Sequence, residues 1–177
     1  MKKLFIHIIP SVKVLSLLLL LSLVIGSCKV NYTMKDISID YTKFKTIKIG
    51  FFENKARIVN PQLSSQLTDK IQQKIINQTK LTRTNNDDAH YQLTGYISDY
   101  SLSTTGVSAQ QAATNRLTVS VHIKLKNTVD NKENEYDVSR NFDFAATLSL
   151  DQAQAQLQEE MIRNLTDEIF NRLFSNW

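Results

Sequence analysis

Hydrophobic positions recur along this chain with two different periods, and the period decides the element. Through residues 45–52, Ile47, Ile49 and Phe51 alternate with polar neighbours, the pattern of a half-buried strand. From residue 63 the spacing changes: Leu63, Leu67, Ile71 and Ile75 recur every four residues, which predicts an amphipathic helix to about Gln78. Asn60 and Pro61 stand where an N-cap and a first helical residue are expected. Alternation resumes at Tyr91, Leu93, Gly95 and Ile97, and is clearest at Leu117, Val119, Val121, Ile123 and Leu125. Tyr136, Val138, Phe142 and Phe144 supply a partner strand, joined through residues 127–134, where Asn127, Asp130 and Asn131 carry turn chemistry. Ser149, followed three places later by Gln152, has the form of a capping box. It opens a helical stripe of Ala153, Leu157, Met161, Leu165, Ile169 and Leu173.

The order β-α-β-β-β-α, with one apolar face per strand and one stripe per helix, predicts an α+β fold. Its economical form is a two-layer sandwich: a four-stranded, mostly antiparallel sheet with two helices on one face. The second sheet face is left polar, for solvent or a partner. Residues 101–115, SLSTTGVSAQQAATN, have no charge and neither period, and read as a long loop. Small uncharged side chains there suit either flexibility or close packing against another protein.

The first residues follow different rules. Lys2, Lys3 and Lys13 precede the apolar run Val14–Ile25. At 12 residues that run is too short for a bilayer span, which needs about 20, and it fits the core of a secretory signal. It ends in Ile25-Gly26-Ser27-Cys28, which resembles a bacterial lipobox, with Ile25 where Leu is usual. That resemblance implies removal of residues 1–27 and acylation of Cys28; the plainer alternative is an ordinary cleavage that leaves a free thiol. Acylation gives firm anchoring, because each buried CH₂ contributes about 0.8 kcal/mol and several chains act together. The expected organisation is a signal peptide over 1–27, an acylated polar tether over 28–44 and one domain over 45–177.

Charge then loses its first meaning. The whole chain has 21 Lys+Arg against 17 Asp+Glu, but three of the lysines lie in the leader, so 18 face 17 after cleavage. A near-neutral domain gives no argument for nucleic acid. A single cysteine excludes an intrachain disulfide and Cys-cluster metal sites, and three histidines and four glycines leave little for a metal centre or a phosphate-cradling loop. No cofactor is expected beyond the covalent lipid on Cys28. Asp87-Asp88 reads as a solvated turn, Glu159-Glu160 as a helix flank, and His90 and His122 as surface residues, so no constellation supports catalysis.

Arg116, Lys124 and Lys126 share the polar parity of the clearest strand with Thr118, Ser120 and His122. As a cationic stripe they are candidate contacts for a phosphorylated lipid. With Leu125 opposite Tyr136, however, Lys124 would face Asp137 and Lys126 Glu135, neutralising the stripe and leaving Arg116 unpaired. Arg140 falls on the apolar parity of its strand, which requires a bulge or a place near the end of the core.

The whole domain resembles the LptE family of lipopolysaccharide-assembly lipoproteins. The matching stretches are Ile47-Lys48-Ile49-Gly50-Phe51-Phe52-Glu53-Asn54, Val59-Asn60-Pro61, Asn115-Arg116-Leu117-Thr118-Val119-Ser120-Val121 and the ending Asp167 to Trp177. The resemblance implies two helices on a four-stranded sheet and a non-enzymatic role. It implies a lipid-anchored protein of the outer membrane, its domain facing the periplasm, plugging the β-barrel LptD and binding lipopolysaccharide. The competing expectations are an accessory lipoprotein of another envelope transport complex and a stand-alone lipid binder, which would need an apolar pocket between helices and sheet.

Overall fold

The chain divides into two units, Met1–Met34 and Lys35–Trp177. The structure, a computed structural model, describes residues 39–105 and 114–175, all in the second unit. The expected signal peptide, the expected acylation site Cys28 and the middle of the expected 101–115 loop lie outside the described residues. Ile39 and Phe44, expected in the tether, are buried in the core, so the folded part begins before residue 45.

Among the described residues six strands and two helices follow one another as β1 (Thr46–Ile49), β2 (Glu53–Asn54), α1 (Leu63–Gln78), β3 (Thr82–Arg83), β4 (Tyr91–Thr105), β5 (Thr114–Asn127), β6 (Lys132–Ala145) and α2 (Leu150–Phe174). The strands form one mixed sheet in the order β3-β1-β4-β5-β6, with β2 also paired to β4. The expected four-stranded, mostly antiparallel sheet is therefore corrected. Its antiparallel part is the meander β4-β5-β6, while β1, β2 and β3 all pair in parallel. The two additions, β2 and β3, are two residues each and carry no hydrophobic alternation of their own.

Inward residues of the strands and the buried stripes of both helices form a single core. Ile47, Leu93, Ile97, Val119, Val121 and Ile123 on the sheet meet Leu63, Leu67, Ile71, Met161, Leu165 and Ile169 on the helices, all fully or almost fully buried. Phe52 packs against Gly95: a Cβ there would stand 2.4 Å from Phe52 Cε1 and 2.6 Å from the His122 carbonyl oxygen. Only glycine permits that approach.

β4 departs from plain alternation. A bulge between Ile97 and Asp99 leaves Ser98 without a counterpart on β5, and the inward parity switches from odd to even, so that Tyr100 is buried opposite Val119. The predicted loop 101–115 is corrected at both ends: 101–105 continue β4, and 114–115 begin β5. The 127–134 connection closes as a four-residue loop. Asn127 Oδ1 accepts from the amides of Val129 and Asp130, and Asn131 takes a φ of 49°, a left-handed conformation that Asn tolerates.

The helix starts differ. The capping box of α2 is complete: Ser149 Oγ accepts from the Gln152 amide at 3.3 Å, and Gln152 Oε1 from the Ser149 amide at 3.0 Å. The N-cap of α1 is Gln62, without a side-chain cap, which corrects the expected Asn60. Asn60 closes the turn before the helix instead, accepting from the Gln62 amide at 3.1 Å. Its buried amide also reaches Gln158 Oε1 at 3.2 Å, tying that turn to α2. Among the described residues no helix is long and apolar enough to cross a membrane.

Candidate functional site

The sheet face turned away from the core is an organised polar surface of the described structure. Its middle row comes from β5, where alternation points Arg116, Thr118, Ser120, His122, Lys124 and Lys126 outward. On β6 these stand opposite Asp143, Asn141, Ser139, Asp137, Glu135 and Glu133. Register thus pairs each cation or hydroxyl with a complementary group.

The contacts run as a ladder. Arg116 grips Asp143 through two parallel bonds, Nε to Oδ1 at 2.7 Å and a terminal nitrogen to Oδ2 at 2.9 Å. Thr118 donates to Asn141 at 2.9 Å, and Ser120 meets Ser139 at 3.0 Å. His122 Nδ1 lies 2.9 Å from Asp137, and its other nitrogen 3.7 Å from Glu135. Lys124 bridges Glu133 at 2.7 Å and Glu135 at 3.0 Å. On the β4 side, the Tyr96 ring lies against His122 with centroids 5.1 Å apart, and Lys55 Nζ sits 4.5 Å above that ring. Hydrogen bonding to Arg116 holds the Asp143 carboxyl below its ordinary value, and Asp143 in turn raises the Arg116 guanidinium. Bonds to Glu133 and then Glu135 raise Lys124.

The three candidate cations therefore share one face but not one fate. Cross-strand neutralisation holds for Lys124 but with a shifted register: Leu125 stands opposite Asn134, so Lys124 faces Glu135, and Lys126 faces Glu133, which bonds Lys124 instead. Arg116, expected to be unpaired, is the most firmly held of the three. Lys126 is exposed and makes no ion pair among the described residues. Arg140 sits in regular register opposite Val119, without a bulge, on the edge strand. There its guanidinium leaves the core to bond Glu168 on α2.

The other residues weighed from sequence are scattered. Asp87 is exposed and holds Lys48, whose hydrogen bond lowers its carboxyl. His90 is half-buried, its Nδ1 2.6 Å from Thr46 Oγ1, a structural contact at the β1–β4 junction. His122 is likewise half-buried instead of free on the surface. Glu159 and Glu160 are both exposed on α2. Among the described residues no group of three or more His, Cys, Asp or Glu is placed to hold a metal ion. Two cavities of about 500 and 600 Å³ lie between the helices, and their walls are mostly glutamine, asparagine and charged residues.

A family model described as LptE, Lipopolysaccharide-assembly, matches residues 44–173. Among solved structures the chain is similar to one described as a neuraminyllactose-binding hemagglutinin homolog from Helicobacter pylori, at 8% identity and a TM-score of 0.55, covering 80% of this chain and 89% of that one. That likeness concerns the fold. Two others are the hypothetical protein CT253 from Chlamydia trachomatis (11% identity, TM-score 0.48, 73% and 98% covered) and the PelC dodecamer from Paraburkholderia phytofirmans (11% identity, TM-score 0.48, 76% and 91% covered). No curated protein matches the chain.

Proposed function

The chain belongs to the LptE family of lipopolysaccharide-assembly proteins, and from that premise we propose that it is an outer-membrane lipoprotein that plugs the β-barrel LptD and assists lipopolysaccharide insertion. Acylated Cys28 is the anchor in this reading, and the domain faces the periplasm.

The observation that carries the proposal is the ladder on the polar sheet face. A barrel lumen is polar, and a plug must lie against it without stranding charges. Here Arg116, Thr118, Ser120, His122 and Lys124 already meet partners on β6. The face can approach a polar wall as a pre-paired surface, and its exposed groups keep spare hydrogen-bonding capacity for the wall. Such a role is non-enzymatic. Of the three cations proposed for lipopolysaccharide, Lys126 is the one whose charge no described carboxylate engages, and we assign it the first contact.

The stand-alone lipid binder is less well supported. It needs an apolar pocket, whereas the helix-bounded cavities are lined mainly by amide-bearing and charged residues and the helix–sheet interface is a packed core. No observation favours a different transport complex.

Co-purification tests the proposal. Membranes carrying C-terminally tagged full-length protein are solubilised in mild detergent, and the partners are identified by mass spectrometry. A near-stoichiometric large outer-membrane β-barrel is expected. An inner-membrane transporter in its place, or a clean monomer, would overturn the plug reading.

A further inference from the structure

The two edges of the sheet are unequal. β3 ends one side with 2 residues, whereas β6 ends the other with 14. Natural sheets blunt a long edge with proline, a bulge, lysines or a covering element. β6 contains no proline, pairs with β5 in unbroken register from Lys132 to Ala145, and has a single lysine, at its first position. Its one inward-facing charge, Arg140, is drawn to Glu168 on α2. Among the described residues no strand pairs with its outer side.

The hydrogen bonds of the neighbouring strands determine which backbone groups this edge offers. The N–H and C=O of one strand residue point to the same side, and those of the next residue to the other. Gly50 donates to the Leu93 carbonyl and Lys55 to the Ile97 carbonyl, so these odd residues of β4 face β1 and β2, and Gln92, Thr94 and Tyr96 face β5. Their partners on β5, Lys126, Lys124 and His122, face back, which turns Val121, Ile123 and Leu125 toward β6. On β6 the residues opposite these, Val138, Tyr136 and Asn134, bond β5 in return. The N–H and C=O groups of Glu133, Glu135, Asp137, Ser139, Asn141 and Asp143 therefore point away from the sheet. None has a backbone partner among the described residues.

The same residues form the outer side-chain row of β6, and Glu133, Glu135, Asp137 and Asp143 make it acidic. Arg116 and Lys124 engage three of these carboxylates, while Asp137 meets only the His122 ring and its side chain is 79% exposed. A second copy is a poor occupant of the edge. In a two-fold antiparallel pairing over most of β6, Asp143 lies opposite Glu133, Glu135 or Asp137, or Asp137 lies opposite itself, according to register. Like charges directly opposite destabilise a sheet. The row thus disfavours its own copy and suits a strand that carries cations on this face. On the other face, Tyr136, Val138, Phe142 and Phe144 favour apolar neighbours.

We propose that the β6 edge takes up an extended segment of a partner polypeptide that alternates basic and apolar residues, its backbone bonded to the free N–H and C=O groups and its cations set against the acidic row. The proposal does not depend on the barrel partnership.

Amide hydrogen exchange tests it, read residue by residue by NMR on the full-length protein in neutral detergent. The probe is an acetylated peptide of alternating lysine and valine. Saturable binding that slows exchange of the outward amides from Glu133 to Asp143 is expected. A glutamate–valine peptide, or the lysine–valine peptide methylated on alternate backbone amides, should leave those amides as they were. Ser139→Pro removes one edge N–H and no bond to β5, so it should weaken binding about fivefold or more with little change in melting. Asp137→Lys should weaken binding of the lysine peptide as well, and carries the test if S139P does not fold. Absence of saturable binding overturns the proposal, as does binding that leaves the outward amides exchanging freely or is undiminished in both variants. Slowing of the same amides with rising protein concentration and no peptide would place a second copy on the edge and overturn the assigned partner.

Discussion

The two faces of β5, the middle strand of the antiparallel meander, are built on opposite principles. Inward, Leu117, Val119, Val121 and Ile123 are completely buried and interchangeable in kind: each contributes by leaving water. Outward, Arg116, Thr118, Ser120, His122 and Lys124 are half-exposed and matched to particular polar partners on β6. The inner face supplies stability and tolerates little change of volume. The outer face supplies little stability, because exposed pairs are screened and weak, but it sets a specific pattern of charge. A surface made for a partner is expected to look like the second face, and a core like the first.

This contrast can be tested in order of size. Gly95→Val forces a side chain into Phe52 and into backbone of β5, and the full chain is expected to fail to fold, seen as loss of a cooperative melt. Ile123→Ala leaves a cavity in the core and should cost about 2–5 kcal/mol by urea denaturation. Ser149→Ala removes one half of the α2 capping box and should cost about 1 kcal/mol. Asp143→Asn breaks the firmest rung of the outer ladder, yet should shift the melt less than any of these, with the shift shrinking further at 1 M salt. An outer-face effect as large as that of I123A would dissolve the distinction between the faces.

Acidity sharpens the same comparison. The Asp143 and Asp87 carboxyls are held below their ordinary value of 3.8 by Arg116 and Lys48. Their contribution is therefore complete above that value and lost as pH falls through the lower folded-state value. Lys124 and Arg116 are raised, so theirs is present below their ordinary values and lost only as pH rises past the folded values. Burial raises Tyr91 and Tyr100, which adds a loss of core stability on the alkaline side, above 10.0. Melting temperature should thus be nearly flat from about pH 5 to about pH 9 and fall on both sides, the acid fall reporting the Asp143 and Asp87 pairs and the D143N variant losing the part due to Asp143.

The inner face was largely legible from the sequence and the outer one only partly. Alternation identifies which residues of β5 and β6 face inward, but a two-residue slip preserves parity, so it cannot distinguish Leu125 opposite Tyr136 from Leu125 opposite Asn134. That choice is made by the four-residue turn, through Asn127 and the left-handed Asn131. The family resemblance located the fold but not this register. The bulge at Ser98 inverts parity within β4, so residues after it look aperiodic although they are strand. β2 and β3 were invisible because two-residue parallel strands exist only through the neighbours they pair with.

The central claim is that the outer sheet face meets the wall of a barrel. The most direct measurement is in-cell photocrosslinking from Thr118, in the middle of that face, with a second probe at the exposed Glu160 on α2 as reference. The account predicts a strong adduct between Thr118 and a large outer-membrane β-barrel, mapped to residues that line its lumen. An adduct to an inner-membrane transporter subunit, or none from Thr118 while the protein is anchored and folded, would contradict it.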